Sequence, residues 1–388
     1  MRHPGRLSIR TRWALPAGSV VVAGAVLGGT VLASAAAPVL PRQAPAQLLA
    51  AMRHATVPPA MTATISESAN LGFPALPDIG GMSSSPMSAA SLVSGTHTVQ
   101  VWYAGPRHLR VALPVSFGET DLRVNGSQVW LWDSHGQTAT HYVAPSSSQP
   151  MPRRLKPAPG THEADPFAGL SPLQAAERVL AMVGPTTKVT VPGTIEVAGR
   201  AAYELAIAPR ASQSLVGHVV IAVDAKTHLP LSVQVFARGS SSPAFQVGFT
   251  SLDLARPPMS NFTFTPPPGA KVKTAKLPVA GFMPGAGGMP GAAPHAVPHG
   301  HGPFAGGQTF GKGWLTVAAF PAGQAMPRAG QGLGLTVLMK AMKPVHGAWG
   351  SGRLLRTTLF SVLLTSKGQV LVGAVTPAVL YADAAKVK

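Results

Sequence analysis

Apolar and polar residues alternate along most of the chain between positions 61 and 254, and this two-residue period predicts a protein built mainly of strands. Met61, Ala63 and Ile65 stand against Thr62, Thr64 and Ser66. Residues 97–103, 108–113, 120–124 and 129–133 follow, each of about five to seven residues, a normal strand length. Gly-Pro, Asn-Gly and His-Gly pairs separate them. Asn125-Gly126 reads as a hairpin turn, because both residues tolerate the positive φ of a type I′ turn. No connection in this run is long enough for a parallel crossover, so the run is an antiparallel meander.

A second meander covers residues 188–191, 202–208, 217–223, 231–238 and 245–254. Tyr203/Leu205/Ile207, Val219/Ile221/Val223, Leu231/Val233/Val235 and Phe245/Val247/Phe249 each line one face. The opposite faces carry Glu204, Gln234 and Arg238, but also Val220 and Phe236. A sheet this apolar on one side needs a cover. Two helices are available. Residues 45–55 set Leu48, Leu49 and Met52 in one stripe before Pro58-Pro59 stops them. Residues 171–183 begin with Ser171 as N-cap, Pro172 in the first position and Gln174 three residues on, and end at Gly184-Pro185. Their inward residues are Leu173, Ala176, Leu180 and Val183.

Residues 71–91 and 144–170 read as long loops. Residues 269–310 are low-complexity Gly, Pro, Ala and His, with the composition of a disordered linker. Strand character returns at 313–320, 353–365 and 370–375, with helices expected at 333–342 and 377–385. The resulting layout is an N-terminal segment 1–36, a main domain 44–268, a linker 269–310 and a C-terminal β/α segment 311–388 expected to pack on the main domain.

The N-terminal segment sets the expected compartment. Arg2, Arg6, Arg10 and Arg12 precede an uncharged stretch from Trp13 to Pro41, and Ala33-Ser34-Ala35 offers a small-x-small cleavage pattern. That succession is a secretory signal. The stretch also exceeds the roughly 20 residues needed to span a bilayer, so cleavage and retention as an anchor both fit. In either case the arginines stay inside and the remainder is extracytoplasmic, membrane-anchored or secreted.

Among 388 residues, 31 Lys and Arg against 13 Asp and Glu give a net charge of +18, which favours anionic surroundings such as acidic lipid head groups. The positives are scattered. The clusters Arg153-Arg154-Lys156 and Lys271-Lys273-Lys276 lack interleaved aromatics, which argues against a nucleic-acid partner. The absence of cysteine excludes disulfides, thiolate catalysis and a lipidated cysteine.

No pair of the few acids has a spacing that implies acid/base work, and no nucleophile elbow, His-Glu-x-x-His or phosphate loop is present. The expectation is therefore a non-enzyme without cofactor. His295, His299 and His301 have chelating spacing but no further ligand on an ordered element, so no metal site is expected. Met82 and Met87 fit either a loop exposed to solvent or the lip of a lid. Trp102, Trp130 and Trp132 fit equally a surface on which a ligand stacks and ordinary sheet packing.

The order of elements resembles the LolA-like lipoprotein carrier superfamily, which includes LolA, LolB and the sigma-E regulator RseB/MucB. The resemblance rests on Val219-Val220-Ile221-Ala222-Val223-Asp224 followed by Leu229-Pro230-Leu231. It rests most on the terminus Phe262-Thr263-Phe264-Thr265-Pro266-Pro267-Pro268-Gly269-Ala270. It covers residues 44–275, and the tail with Gly311-Lys312-Gly313-Trp314 resembles secreted actinobacterial members. It implies an α+β fold: an incomplete antiparallel β-barrel whose open face is covered by helices. It also implies non-catalytic binding of lipid or of the acyl part of a lipoprotein at the membrane surface. An RseB-like regulator binding an anti-sigma factor or other membrane protein is the alternative. Trp102, Trp130, Trp132, Ile221, Val233, Val235, Phe245, Val247 and Phe249 are the candidate ligand-binding residues. A cavity and a filled core share this pattern, and the resemblance favours the cavity.

Overall fold

The computed structural model describes residues 37–56, 58–72, 94–115, 117–143, 171–276, 307–322 and 339–387. The alternating pattern yields strands where it was strongest. These are β1 (Met61–Asn70), β2 (Ser94–Tyr103), β3 (His108–Val115), β4 (Gly118–Asn125), β5 (Gln128–Asp133) and β6 (Thr138–Val143). They continue as β7 (Thr187–Val197), β8 (Arg200–Pro209), β9 (Val216–Asp224), β10 (Pro230–Ala237), β11 (Pro243–Asp253) and β12 (Lys271–Lys276). All twelve form one sheet in the order β12-β6-β5-β4-β3-β2-β1-β11-β10-β9-β8-β7. The two meanders are joined by antiparallel pairing of β1 with β11. Strands β12 and β7 end the sheet without pairing to each other, so the barrel is incomplete.

Among the described strands only the β12–β6 pair is parallel, and its cause lies in the chain that leads to it. From β11, beside β1, the chain must cross the outer face of β1–β6 to reach the far edge. A 3-10 turn at Met259–Phe262 starts the crossing. Phe262 is buried, with its ring 5.6 Å from that of His108. Arg123 Nη1 donates to the Thr263 carbonyl at 2.5 Å. Phe264 then lies over Trp130 and Trp132, at ring separations of 5.3 and 6.0 Å. The Phe-x-Phe motif is thus the grip of a strap.

Helix α1 (Pro45–Arg53) buries Leu48 and Met52. Helix α2 (Pro172–Ala181) buries Ala175, Ala176 and Val179, and Ser171 Oγ accepts from the Gln174 N–H as its cap. Such a cap contributes about 1 kcal/mol. Helix α2 packs on β10 and β11, and α1 touches β7.

The acidic turn of the Val-Asp/Leu-Pro-Leu motif has a defined structure. Asp224 Oδ1 accepts from the N–H groups of Lys226 and Thr227. Its Oδ2 is held by Arg200.

A second sheet contains β13 (Gln308–Phe310), β14 (Val317–Pro321), β15 (Lys343–Gly347), β16 (Gly350–Arg356), β17 (Ser361–Thr365) and β18 (Gln369–Gly373), ordered β13-β14-β18-β17-β16-β15. Helix α3 (Pro377–Ala384) places Leu380 among Val317, Leu363 and Leu371. This unit is stitched to the large sheet by backbone donation from Leu215 to Ala374, Thr376 to Gln213 and Thr358 to Leu71. Residues 37–388 form one unit.

Several expectations change. Residues 271–276, expected within a disordered linker, form an edge strand. Residues 353–365 are two strands, broken where Thr357 Oγ1 accepts from the Phe360 N–H. The β4–β5 loop is Gly126-Ser127 rather than Asn125-Gly126; Asn125 pairs with Gln128 and only Gly126 of the loop has positive φ, as in a type II′ turn. Leu231 leaves its row. At a register shift between Pro230 and Ser232 it packs with Ala202 and Ala222. The signal or anchor segment, the long loops with Met82 and Met87, and His295, His299 and His301 lie outside the described residues. So does the 333–342 helix, apart from its last turn at 339–341. Among the described residues no helix is long and apolar enough to cross a membrane.

Candidate ligand-binding face

The strand registers define a single inner face. Phe245, Val235, Val219 and Ile207 lie side by side across β11, β10, β9 and β8, as do Val247, Val233, Ile221 and Leu205. On the other meander, Val101, Val111, Leu122 and Leu131 form one row. Leu109, Val124, Val129 and Tyr142 form another. Ile65 and Val101 carry the apolar surface from one half to the other.

The two halves differ in cover. Ile221 and Val247 are fully buried, each 0% exposed, in a core shared with Leu48, Ala176, Val179 and Trp314. Val233 and Phe245 are buried in the same core, and Val235 and Phe249 are half-buried against it. Here the face is filled by the protein's own helices and by Trp314. Over β2–β6, Leu122, Val124 and Val129 are buried in a small cluster of their own, while Val101, Leu109, Val111, Leu131 and Tyr142 around them are only half-buried.

The nine candidate residues therefore do not form one surface. Trp102, Trp130 and Trp132 alternate with Val101, Val129 and Leu131, so they face outward, on the reverse of the sheet. The guanidinium of Arg110 lies 4.4 Å over the Trp102 ring. Trp130 stacks on His141 at 4.2 Å and meets Phe264. Beneath the strap, the fully buried Asp121 carboxylate receives Arg110 and Arg123, at 3.0 and 2.7 Å. The sheet period supplied the signal that separates these tryptophans from the inner rows. It was obscured because aromatic residues on either face read as ligand surface.

Polar groups on the inner face are few. Glu67 is buried there, between Val247 and His97 on the neighbouring strands. The two carboxyls that burial pushes above their ordinary value, Glu177 and Glu204, lie on α2 and on the reverse of β8 and do not meet. Among the described residues no three His, Asp or Glu side chains converge as a metal site.

No protein-family model matches the chain, and no curated protein matches it. Solved structures do. The MucA/MucB complex of Pseudomonas aeruginosa contains a chain 17% identical, with a TM-score of 0.36, covering 87% of this chain and 95% of that one. A LolA-superfamily protein of Nitrosomonas europaea is 11% identical, with a TM-score of 0.19, over 57% of this chain and 99% of that one. An outer-membrane lipoprotein-sorting domain of Vibrio parahaemolyticus is 11% identical, with a TM-score of 0.17, over 54% of this chain and 90% of that one. Its structural neighbours are MucB, LolA-superfamily and lipoprotein-sorting proteins. The fold rests on the strand order itself.

Proposed function

We propose that this chain is a non-catalytic, extracytoplasmic binding protein of the LolA/RseB-like kind, which holds the acyl part of a lipid or lipoprotein on its inner face. The observation that carries this reading is the unequal cover of that face. Helices α1 and α2 and Trp314 fill it over β7–β11, whereas over β2–β6 Val101, Leu109, Val111 and Leu131 stay half-buried around the buried Leu122, Val124 and Val129. Sustained apolar surface of this kind gains roughly 25 cal/mol per Å² when an apolar group covers it. The arginine-led, uncharged N-terminal segment supports export.

The test is native mass spectrometry, with organic extraction, of the full chain purified from its own envelope. Stoichiometric acyl lipid or lipoprotein is expected, and it is lost in Val111→Arg or Leu131→Arg variants whose circular dichroism is unchanged. A lipid-free chain that instead co-purifies with a membrane protein would sink this reading in favour of an RseB-like regulator of an anti-sigma factor or similar membrane signalling protein.

A further inference from the structure

The inner row Val111–Leu122–Leu131–Thr140 ends on a cation. Parallel pairing sets Lys271 beside Thr138 and Lys273 beside Thr140. Strand alternation puts both lysines on the inner side of the sheet, at its β12 edge, while Val272 between them faces outward with Ala139 and Trp132. Both lysines are exposed, and neither joins an ion pair among the described residues. The one acid in these rows, Asp133, lies two strands from Lys271 and accepts from the backbone N–H of His135.

An apolar floor that runs out to two adjacent ammonium groups matches one chemistry: an apolar tail with an anionic head. Alternate residues of a strand stand about 7 Å apart, a spacing that brackets a phosphate from two sides. Lysine suits this task because its compact charge and three donors tolerate varied phosphate geometry. The general excess of positive charge is spread over the chain. Lys273 is distinguished by ending the apolar row itself, and Lys271 by standing at the next inner-facing position of the same strand, beside the polar row Thr138–Asp133–Thr120.

We propose that the inner face takes a single lipid with a net anionic phosphate head group, its acyl chains on Leu109, Val111 and Leu131 and its phosphate between Lys271 and Lys273. This rests on the acyl-binding reading above and adds the class of head group.

The experiment uses the full chain, native mass spectrometry and three short-chain probes: dioctanoyl phosphatidylglycerol, dioctanoyl phosphatidylcholine and dioctanoylglycerol. Phosphatidylglycerol is expected to bind about tenfold more tightly than phosphatidylcholine, the effect of one or two charge-assisted contacts. In a Lys271→Gln/Lys273→Gln double variant that preference disappears, and inorganic phosphate at the same concentration fails to displace the lipid. Equal binding of all three probes, or a preference retained by the double variant, overturns the head-group assignment and leaves acyl binding standing. Displacement by phosphate alone also overturns it, by assigning the lysines to a free anion. Binding of none of the three overturns both readings.

Discussion

The indole Nε1 of Trp314 donates to Thr187 Oγ1 at 2.9 Å, at a buried point where the second sheet meets the first. Trp314 is a member of the large sheet's core rather than of its own. Thr187 in turn donates to the Met182 carbonyl and accepts from the Gly184 N–H, so the contact also braces the end of α2. Trp314→Phe removes one buried hydrogen bond and some volume, and is expected to lower stability by about 1–3 kcal/mol. Trp314→Ala should cost about 3–5 kcal/mol. Urea denaturation checks both. A Trp314→Ala variant as stable as the parent would show that the tail is merely appended.

Phe264 is the part of the strap that reaches β5. Its truncation to Ala removes the last ring contact that holds the crossing chain before β12, leaving Phe262 and the Arg123–Thr263 hydrogen bond behind it. Backbone amides of residues 271–275 are therefore expected to exchange with solvent at least about tenfold faster, as a local opening, while amides of β8–β10 keep their protection. Hydrogen exchange resolved by residue reads this directly. Uniform acceleration throughout the sheet would mean that Phe264 supports the whole fold rather than its edge.

The strap also marks where the sequence is legible and where it is not. Strong alternation with long β-branched residues fixes β8–β11 to within about two residues, because burial of one face demands it. Ser171-Pro172 announces α2, because an N-cap and a first-turn proline are local chemistry. β12 fails that test. Its sequence, Lys271–Lys276, is short and polar and follows three prolines, and only its pairing with β6 makes it a strand. Pairing is tertiary information. The same holds for the site. Alternation tells that Trp130 and Val129 face opposite ways, but not which side the helices and Trp314 fill. The half-buried floor on Val111 and Leu131 emerges only once α2 is seen on β10 and β11.

The β7–β8 hairpin carries backbone strain that a substitution can relieve. Ala198 and Gly199 both have positive φ, 52° and 72°, between the paired residues Val197 and Arg200. A type I′ turn needs this geometry at both positions, and alanine reaches it at a cost of about 1–2 kcal/mol. Asparagine tolerates it. Ala198→Asn is expected to raise the stability by about 0.5–1 kcal/mol, seen as a higher urea midpoint with an unchanged slope. A destabilised variant would mean that the Ala198 methyl makes a contact worth more than the strain.

Glu204 gives the stability a pH dependence of definite sign. Burial pushes its carboxyl above the ordinary value of 4.5, and its cross-strand neighbours Gly193 and Ala222 carry no charge to offset this. The folded state thus binds the proton more tightly than the unfolded state. In the window just above that ordinary value the folded chain holds more protons, so stability falls as pH rises through it. Glu177 is shifted the same way by the same cause and adds to the slope. Glu204→Gln keeps the shape and abolishes the charge. The variant is expected to match the parent near pH 4, where the parent carboxyl is protonated, and to exceed it near pH 7. Thermal unfolding at the two pH values is the measurement. A variant less stable than the parent at pH 7 would show that the carboxylate is held by a favourable contact, and that burial does not dominate its environment.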